Sequence, residues 1–507
     1  MGDNEDMSQQ PFAGVAETHS GVVYFAGDRA YKLKKPVRLP FLDFSTRAAR
    51  AAACARETEL NRRFAPDVYL GVAEVRDPAG EICDHLVVMR RMPDNRRLSS
   101  LIRAHEPVGP VVRQIAKMVA AQHAAAERSP QISEQGSRDA TRRRWQDNIG
   151  ELRAAHGDLI DDADIDEISH LADRFLTGRE PLFDTRCRAG HVLDGHGDLL
   201  ADDIFCLDDG PRILDCLDFD DRLRWLDGLD DVAFLAMDLD RLGAPELAER
   251  FTRWYSDFSG DPAPSSLRHH YVAYRAVVRA KVSCVRAHQG DPTAPGEAHR
   301  LIAAAIRHLR AGAVTLVLVG GPPGTGKSAL TGAIADKLGF SVLNSDEIRK
   351  ELAGIPPQQR AATALDAGIY TRQWTDRTYE EMLIRAAKLL ALGESVVLDA
   401  TWTSADHRNL AAEVASHSAA DLVQLRCTAA PQVITSRIAS RVGGVSDATP
   451  AVAAQLAASQ APWPDAVVVD TSGEPGLADP VDLALRSIRP HGPEHVWRPA
   501  RSYMPPG

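Results

Sequence analysis

The chain has 507 residues, 44% of them hydrophobic and 25% charged, with a formal net charge of −11. That length is too great for one core, and that charge argues against nonspecific nucleic-acid or anionic-membrane binding as the main task. No apolar run approaches the roughly 20 residues of a bilayer span, MGDNEDMSQQ is no secretion signal, and seven scattered cysteines without C-x-x-C pairs suggest reduced thiols in a cytoplasmic protein without a zinc site.

In chain order, residues 1–12 read as a disordered tail. Val22–Phe25 and Arg29–Lys34 read as two strands joined by a Gly27-Asp28 turn, a strong hairpin signal. A helix is expected over Arg47–Phe64, and further strands over Val68–Val75 and His85–Met89. Residues 98–180 are rich in Ala, Arg and Leu and read as helical, 190–220 as strands and turns around an Asp-rich loop, and 228–310 as helical again, broken at Gln289–Gly296. From 313 the pattern alternates strand and helix, which implies a parallel sheet. The tail after about 490 is Pro-rich and expected to be irregular. The domains expected are therefore 13–300 and 313–490, with 491–507 as a tail.

Gly321-Pro322-Pro323-Gly324-Thr325-Gly326-Lys327-Ser328 is the most specific motif in the chain. It follows a continuous apolar run, Ala313–Val319, and precedes an apolar helical pattern from Ala329 to Leu338, the context a phosphate-binding loop requires. Such a loop curls its backbone N–H groups toward phosphate oxygens, and the helix N-terminus adds positive potential. Lys327 is then expected at the β- and γ-phosphates of ATP or GTP, and the Ser328 hydroxyl on Mg²⁺. Asp346, at the end of the next strand, is placed to accept a proton from a substrate hydroxyl, with Arg349 on the same helix face toward substrate. Asp399, ending a third strand, is expected to orient Mg²⁺ through water, and Arg408 is a weaker substrate candidate. Arg437 and Arg441, four apart, suit a lid over the phosphates, with Gly443-Gly444 beyond them as its hinge.

Upstream, His196-Gly-Asp198-Leu-Leu-Ala-Asp-Asp203-Ile-Phe205 is followed by a hairpin that ends at Asp215. Asp198, Asp203 and Asp215 have the spacing by which kinase-like enzymes place a base and two metal ligands. Lys32 is the candidate ATP lysine, with Lys34 and Lys35 as rivals. Glu57 and Glu59 are the candidate ion-pair partners on the first helix. The loop Thr18–Gly21 is a poor Gly-rich candidate for covering the phosphates. Fifteen Asp fall between 194 and 240, so some are simply solvated.

The motifs GPPGTGKS, NSDEIRK, VVLDAT and R-x-x-x-R resemble the phosphate-loop kinases, the group of gluconate kinase, chloramphenicol phosphotransferase and the polynucleotide kinase domain. Residues 13–300 resemble the aminoglycoside phosphotransferase and protein-kinase-like superfamily, although that family usually has Asn where this chain has Asp203. The order of the two resembles bifunctional bacterial proteins that join both domains. The resemblance implies an α+β kinase-like bilobal domain followed by an α/β phosphate-loop domain with a parallel five-stranded sheet. It implies Mg²⁺-ATP as cofactor, Asp346 as substrate-side base, and a small-molecule hydroxyl as acceptor. The alternatives are an N-terminal pseudokinase that controls the C-terminal ATPase, and, disfavoured by the acidic balance, polynucleotide end phosphorylation.

Overall fold

The computed structural model describes residues 12–17, 21–39, 42–356, 359, 368–440, 449–473 and 479–489. The chain forms two compact units, one of residues 1–159, 185–262 and 271–302, the other of 160–184, 263–270 and 303–507. The division does not follow a single cut near residue 300: two inner segments join the C-terminal unit. Among the described residues no helix is long and apolar enough to cross a membrane, and all seven cysteines are free.

The N-terminal unit opens with β1 (Ala13–Glu17), β2 (Gly21–Ala26), β3 (Arg29–Lys34), a short pair β4 (Arg38–Leu39) and β5 (Leu42–Asp43), helix α1 (Arg47–Asn61), β6 (Tyr69–Arg76) and β7 (Ile82–Arg90). The expected hairpin is β2–β3, with Phe25 opposite Ala30 across the turn. The antiparallel sheet runs β1-β2-β3-β7-β6, and β1, at its edge, was not separately read from sequence. Thr46 caps α1 by accepting from the Ala49 N–H at 3.2 Å. The α1 helix lays Cys54 against Ala30, Val87, Met89 and Tyr69, the core of this lobe.

The following helices are α2 (Leu98–Arg103), α3 (Gly109–Ala125), α4 (Pro130–Gln135), α5 (Arg138–Ala155), α6 (Asp162–Thr177) and α7 (Glu180–Arg188). Short strands β8 (Val192–Asp194), β9 (Ile204–Leu207), β10 (Gly210–Ile213) and β11 (Trp225–Asp227) carry the Asp-rich loops. Then come α8 (Gly228–Arg241), α9 (Pro245–Ser259), α10 (Ser265–His288) and α11 (Ala294–Ala311). In this unit α8 is buried along nearly its whole length. Arg186 ties it down: its guanidinium pairs with Asp227, at the α8 N-cap, and with Asp261 at 2.7 Å, all three buried.

The C-terminal unit contains β12 (Thr315–Gly320), α12 (Lys327–Leu338), β13 (Ser341–Asn344), α13 (Ser345–Leu352), α14 (Arg372–Ala391), β14 (Val396–Asp399), α15 (Ala405–His417), β15 (Asp421–Thr428), α16 (Pro431–Ala439), α17 (Pro450–Ala458), β16 (Val467–Asp470) and α18 (Pro480–Ile488). Five strands pair in parallel in the order β13-β14-β12-β15-β16. Central β12, TLVLVG, is buried at every position, as its unbroken apolar run requires. Its Val317 and Val319 pack with Leu330 and Ile334 of α12, and the carboxyl ends of β12, β13 and β14 open on one crevice.

Candidate active sites

In the N-terminal unit the hairpin aims Lys32 at two carboxylates. Its ammonium lies 2.9 Å from Glu57 Oε1 and 3.0 Å from Asp215 Oδ1. Burial opposes its charge, but Asp215 and Glu57 hold its pKa well above the usual lysine value. Lys34, on the same strand face, pairs with Glu57 Oε2 at 2.6 Å and Asp218 at 2.8 Å. Lys35 turns the other way, to Glu17 at 2.5 Å. Of the two glutamates, Glu57 is 1% exposed and reaches both lysines; Glu59 is not a partner. Two positions are 200° of helix, so Glu59 faces water and pairs with Arg56. Glu57→Gln, which weakens two buried ion pairs, is expected to lower stability by about 1–3 kcal/mol and Glu59→Gln to leave it unchanged, as read by urea unfolding.

Asp198, Asp203 and Asp215 lie close enough for their charges to act on one another, and Asp215 shifts opposite to the other two. Burial pushes the Asp198 carboxyl up to about 6. Burial and then the neighbouring Asp215 and Asp198 raise Asp203 well above the carboxylate range. The Lys32 ammonium lowers Asp215. Asp215 is held at φ 63°, a left-handed backbone that strains a non-glycine residue, by its N–H to Tyr69 Oη at 3.2 Å. A cation shared by Asp203 and Asp215 would relieve the repulsion between these two carboxylates.

Asp231 and Asp238 were lost to the sequence reading among the other acidic residues. Asp231 accepts from the N–H groups of His196 and Gly197 at 2.7 and 2.9 Å, and its Oδ2 meets His123 Nε2 at 3.0 Å. Asp238 accepts from the Ala201 N–H at 2.9 Å. Two carboxylates of α8 thus fix the backbone on both sides of Asp198. No motif marks them; only the buried face of α8 does.

In the C-terminal unit the loop from Gly321 to Ser328 takes the expected curl. Gly324 and Gly326 sit at φ 87° and 83°, where a side chain costs strain, and a Cβ on Gly324 would meet Ile434 at 2.9 Å. Thr325 Oγ1 donates to Pro322 O at 2.8 Å. Lys327, at the first turn of α12, donates to Pro322 O at 3.2 Å. Ala329 follows it in the cleft wall. The Ser328 hydroxyl donates to Asp399 Oδ2 at 2.7 Å, where Asn344 Nδ2 also donates at 3.0 Å. Among the described residues no group of three or more His, Cys, Asp or Glu forms a metal site. The oxygen pair of Ser328 and Asp399 suits a cation that takes few protein ligands and completes its shell with phosphate and water, as Mg²⁺ does.

This loop floors a cleft of about 1590 Å³, also lined by Asp346, Arg349, Tyr379, His407 and Arg437. Asp346 opens α13, whose N-cap Asn344 accepts its N–H at 2.8 Å. Arg349 is buried, donates to Ile369 O at 2.9 Å and Thr375 Oγ1 at 3.2 Å, and lies over Tyr370. Arg437 of α16 donates to Gly324 O of the loop at 3.5 Å and to Thr471 Oγ1 and O at 3.1 and 2.6 Å. Arg441 and Gly443-Gly444 lie outside the described residues, as do residues 18–20 of the other phosphate-loop candidate.

Arg408 does not face the cleft. Its guanidinium donates to Trp402 O and Pro462 O, both at 2.7 Å, and lies over Trp463. Trp402 is fully buried at φ 52°, so Arg408 pins a strained turn. Arg408→Ala is expected to lower stability by about 1–3 kcal/mol, as read by urea unfolding. Tyr379 is 3% exposed yet lines the cleft, with its ring stacked on His407 at 4.1 Å.

Residues 316–462 match a family model described as an AAA domain. Over 499 residues the chain is 46% identical to protein Rv2004c of Mycobacterium tuberculosis strain H37Rv and to protein Mb2027c of Mycobacterium bovis, covering 98% of this chain and of each relative. A choline/ethanolamine kinase family protein from Mesorhizobium loti aligns with 60% of this chain and 93% of its own, at 16% identity and a TM-score of 0.35. A gluconokinase from Sinorhizobium meliloti aligns with 35% of this chain and 90% of its own, at 20% identity and a TM-score of 0.24.

Proposed function

This chain belongs to the family of the mycobacterial protein Rv2004c, and we propose that it is an ATP-dependent phosphotransferase with two active sites, each acting on a hydroxyl of a small molecule. The observation that carries the reading is the Ser328–Asp399 contact of 2.7 Å beside Lys327, at the floor of a cleft large enough for a nucleotide and an acceptor. Mg²⁺-ATP supplies the γ-phosphoryl group when bound. Lys327 and the loop N–H groups hold its phosphates, Ser328 and Asp399 hold the cation, and Arg437 neutralises developing charge. Asp346 accepts the proton of the acceptor hydroxyl, and Arg349 shapes the acceptor end.

In the N-terminal unit Lys32, oriented by Glu57, holds phosphate. Asp203 and Asp215 hold the cation. Asp198 takes the acceptor proton as the hydroxyl oxygen bonds to the γ-phosphorus and the bond from phosphorus to the bridging oxygen of ADP breaks. The opposite shifts of these carboxyls, Asp215 held down by the Lys32 ammonium and Asp198 pushed up by burial, support separate roles for them.

The test is Mg²⁺-dependent ADP release by the full chain and by Lys327→Ala and Asp198→Asn, with and without sugars, polyols and aminoglycosides. Separate losses from the two variants support two enzymes. Loss of everything in Lys327→Ala and of nothing in Asp198→Asn would make the N-terminal unit a regulator and sink the two-site reading.

A further inference from the structure

Resting on the reading of Asp198 as proton acceptor, we propose that the N-terminal site selects an anionic hydroxyl compound, carrying a carboxylate or phosphate, and that Arg279 binds that anionic group. Arg275 and Arg279 lie one turn apart on one face of α10. Arg275 is committed: its Nε donates to Asp230 Oδ1 at 2.7 Å, and its guanidinium lies over Phe234 and Tyr274. Asp230 neighbours Asp231, and it is Asp231 and Asp238 on α8 that hold the backbone on both sides of Asp198. The α10 face that meets α8 therefore runs past the loop of Asp198.

Arg279 has no such commitment. Its Nε is buried, and among the described residues no group accepts from it. A buried N–H left without an acceptor is costly, and an arriving anion removes that cost. The guanidinium fork matches a carboxylate or phosphate in shape as well as charge. Of all charges acting on Asp198, Arg279 is the strongest attractive one, whereas for Asp203 that place belongs to Arg97. Arg279 thus lies within electrostatic reach of the Asp198 carboxylate. A cationic acceptor would meet a like charge there, so the same residue selects against amino alcohols.

The experiment uses the full chain carrying Lys327→Ala, so that the remaining turnover is N-terminal. D-glycerate, D-gluconate, glycerol 3-phosphate, glycerol, ethanolamine and choline are each supplied, with ADP release and thermal shift as readouts. At least one anionic compound is expected to stimulate turnover and raise the melting temperature; whether carboxylates or the phosphate do so identifies the group. Adding Arg279→Gln should raise the KM of that compound about tenfold or more with kcat nearly kept and glycerol unaffected, and Arg279→Lys should recover part of the loss. Preference for choline or ethanolamine overturns the proposal. So does an equal effect of Arg279→Gln on every acceptor, which would make the residue a counter-charge for the acidic cluster, or the absence of any effect from the three anions. If an anion raises the melting temperature only when Arg279 is present, but Asp198→Asn leaves ADP release unchanged, the anion site stands and the phosphotransfer reading falls.

Discussion

Lys327→Ala is expected to lower the ATP turnover of the C-terminal unit by about 10²–10³-fold or more, the scale on which single charge-stabilising groups act in preorganised sites. The loop itself should survive the change. Its curl is set by Gly324 and Gly326, both at positive φ, and by the Thr325–Pro322 hydrogen bond, none of which needs the lysine. Among the described residues the Lys327 ammonium donates one hydrogen bond, to the Pro322 carbonyl at 3.2 Å, a contact worth about 0.5–1.5 kcal/mol net. Unchanged unfolding with lost turnover would therefore be a catalytic effect. Turnover retained within about threefold would remove the phosphate loop from the mechanism.

Asp198→Asn is expected to produce two changes of opposite sense. N-terminal turnover should fall by about 10²–10⁴-fold, the usual contribution of a positioned base. In the wild type that turnover should also fall as the pH drops through about 6, because the carboxyl protonates there. Stability should rise. The folded pKa lies above the ordinary aspartate value of 3.8, so the unit is favoured below that value and loses stability as pH rises through about 6. At pH 7 the ionised carboxyl costs about 2–3 kcal/mol, which the asparagine escapes. The urea midpoint of the N-terminal transition should accordingly rise at pH 7.5 and converge with the wild type near pH 4. A variant that loses both turnover and stability would show Asp198 to be a structural group.

Much of this arrangement was legible because a few residues have few alternative uses. A Gly-rich octapeptide between an apolar strand and a helix has one common reading, and β12 and α12 follow it almost residue for residue. The Gly27-Asp28 turn fixed the register that points Lys32 and Lys34 to one face. What spacing does not carry is side-chain direction around a helix or capture by distant backbone. Glu57 and Glu59 differ only by direction, and Arg408 differs from a cleft arginine only because the carbonyls of Trp402 and Pro462 reach it. Asp231 was illegible for another reason: its partners His123, His196 and Gly197 are 34 or more residues away, and no local pattern reports them.

The interleaving of the two units has a consequence for synthesis on the ribosome. Arg174 of α6 finds its carboxylate at Asp421, 2.6 Å away, and Ser266 donates to Gly393 O at 2.7 Å. At about 5–20 residues per second, α6 emerges some 10–50 s before the strand that completes its surroundings. Through that interval Arg174 and Ser266 stand without these partners, although Phe175 of α6 already has His270 of α10 to stack on. The nascent chain thus holds polar groups that wait for its late half. Truncations ending near residue 300 would keep that waiting state and are expected to unfold at lower urea than the complete polypeptide.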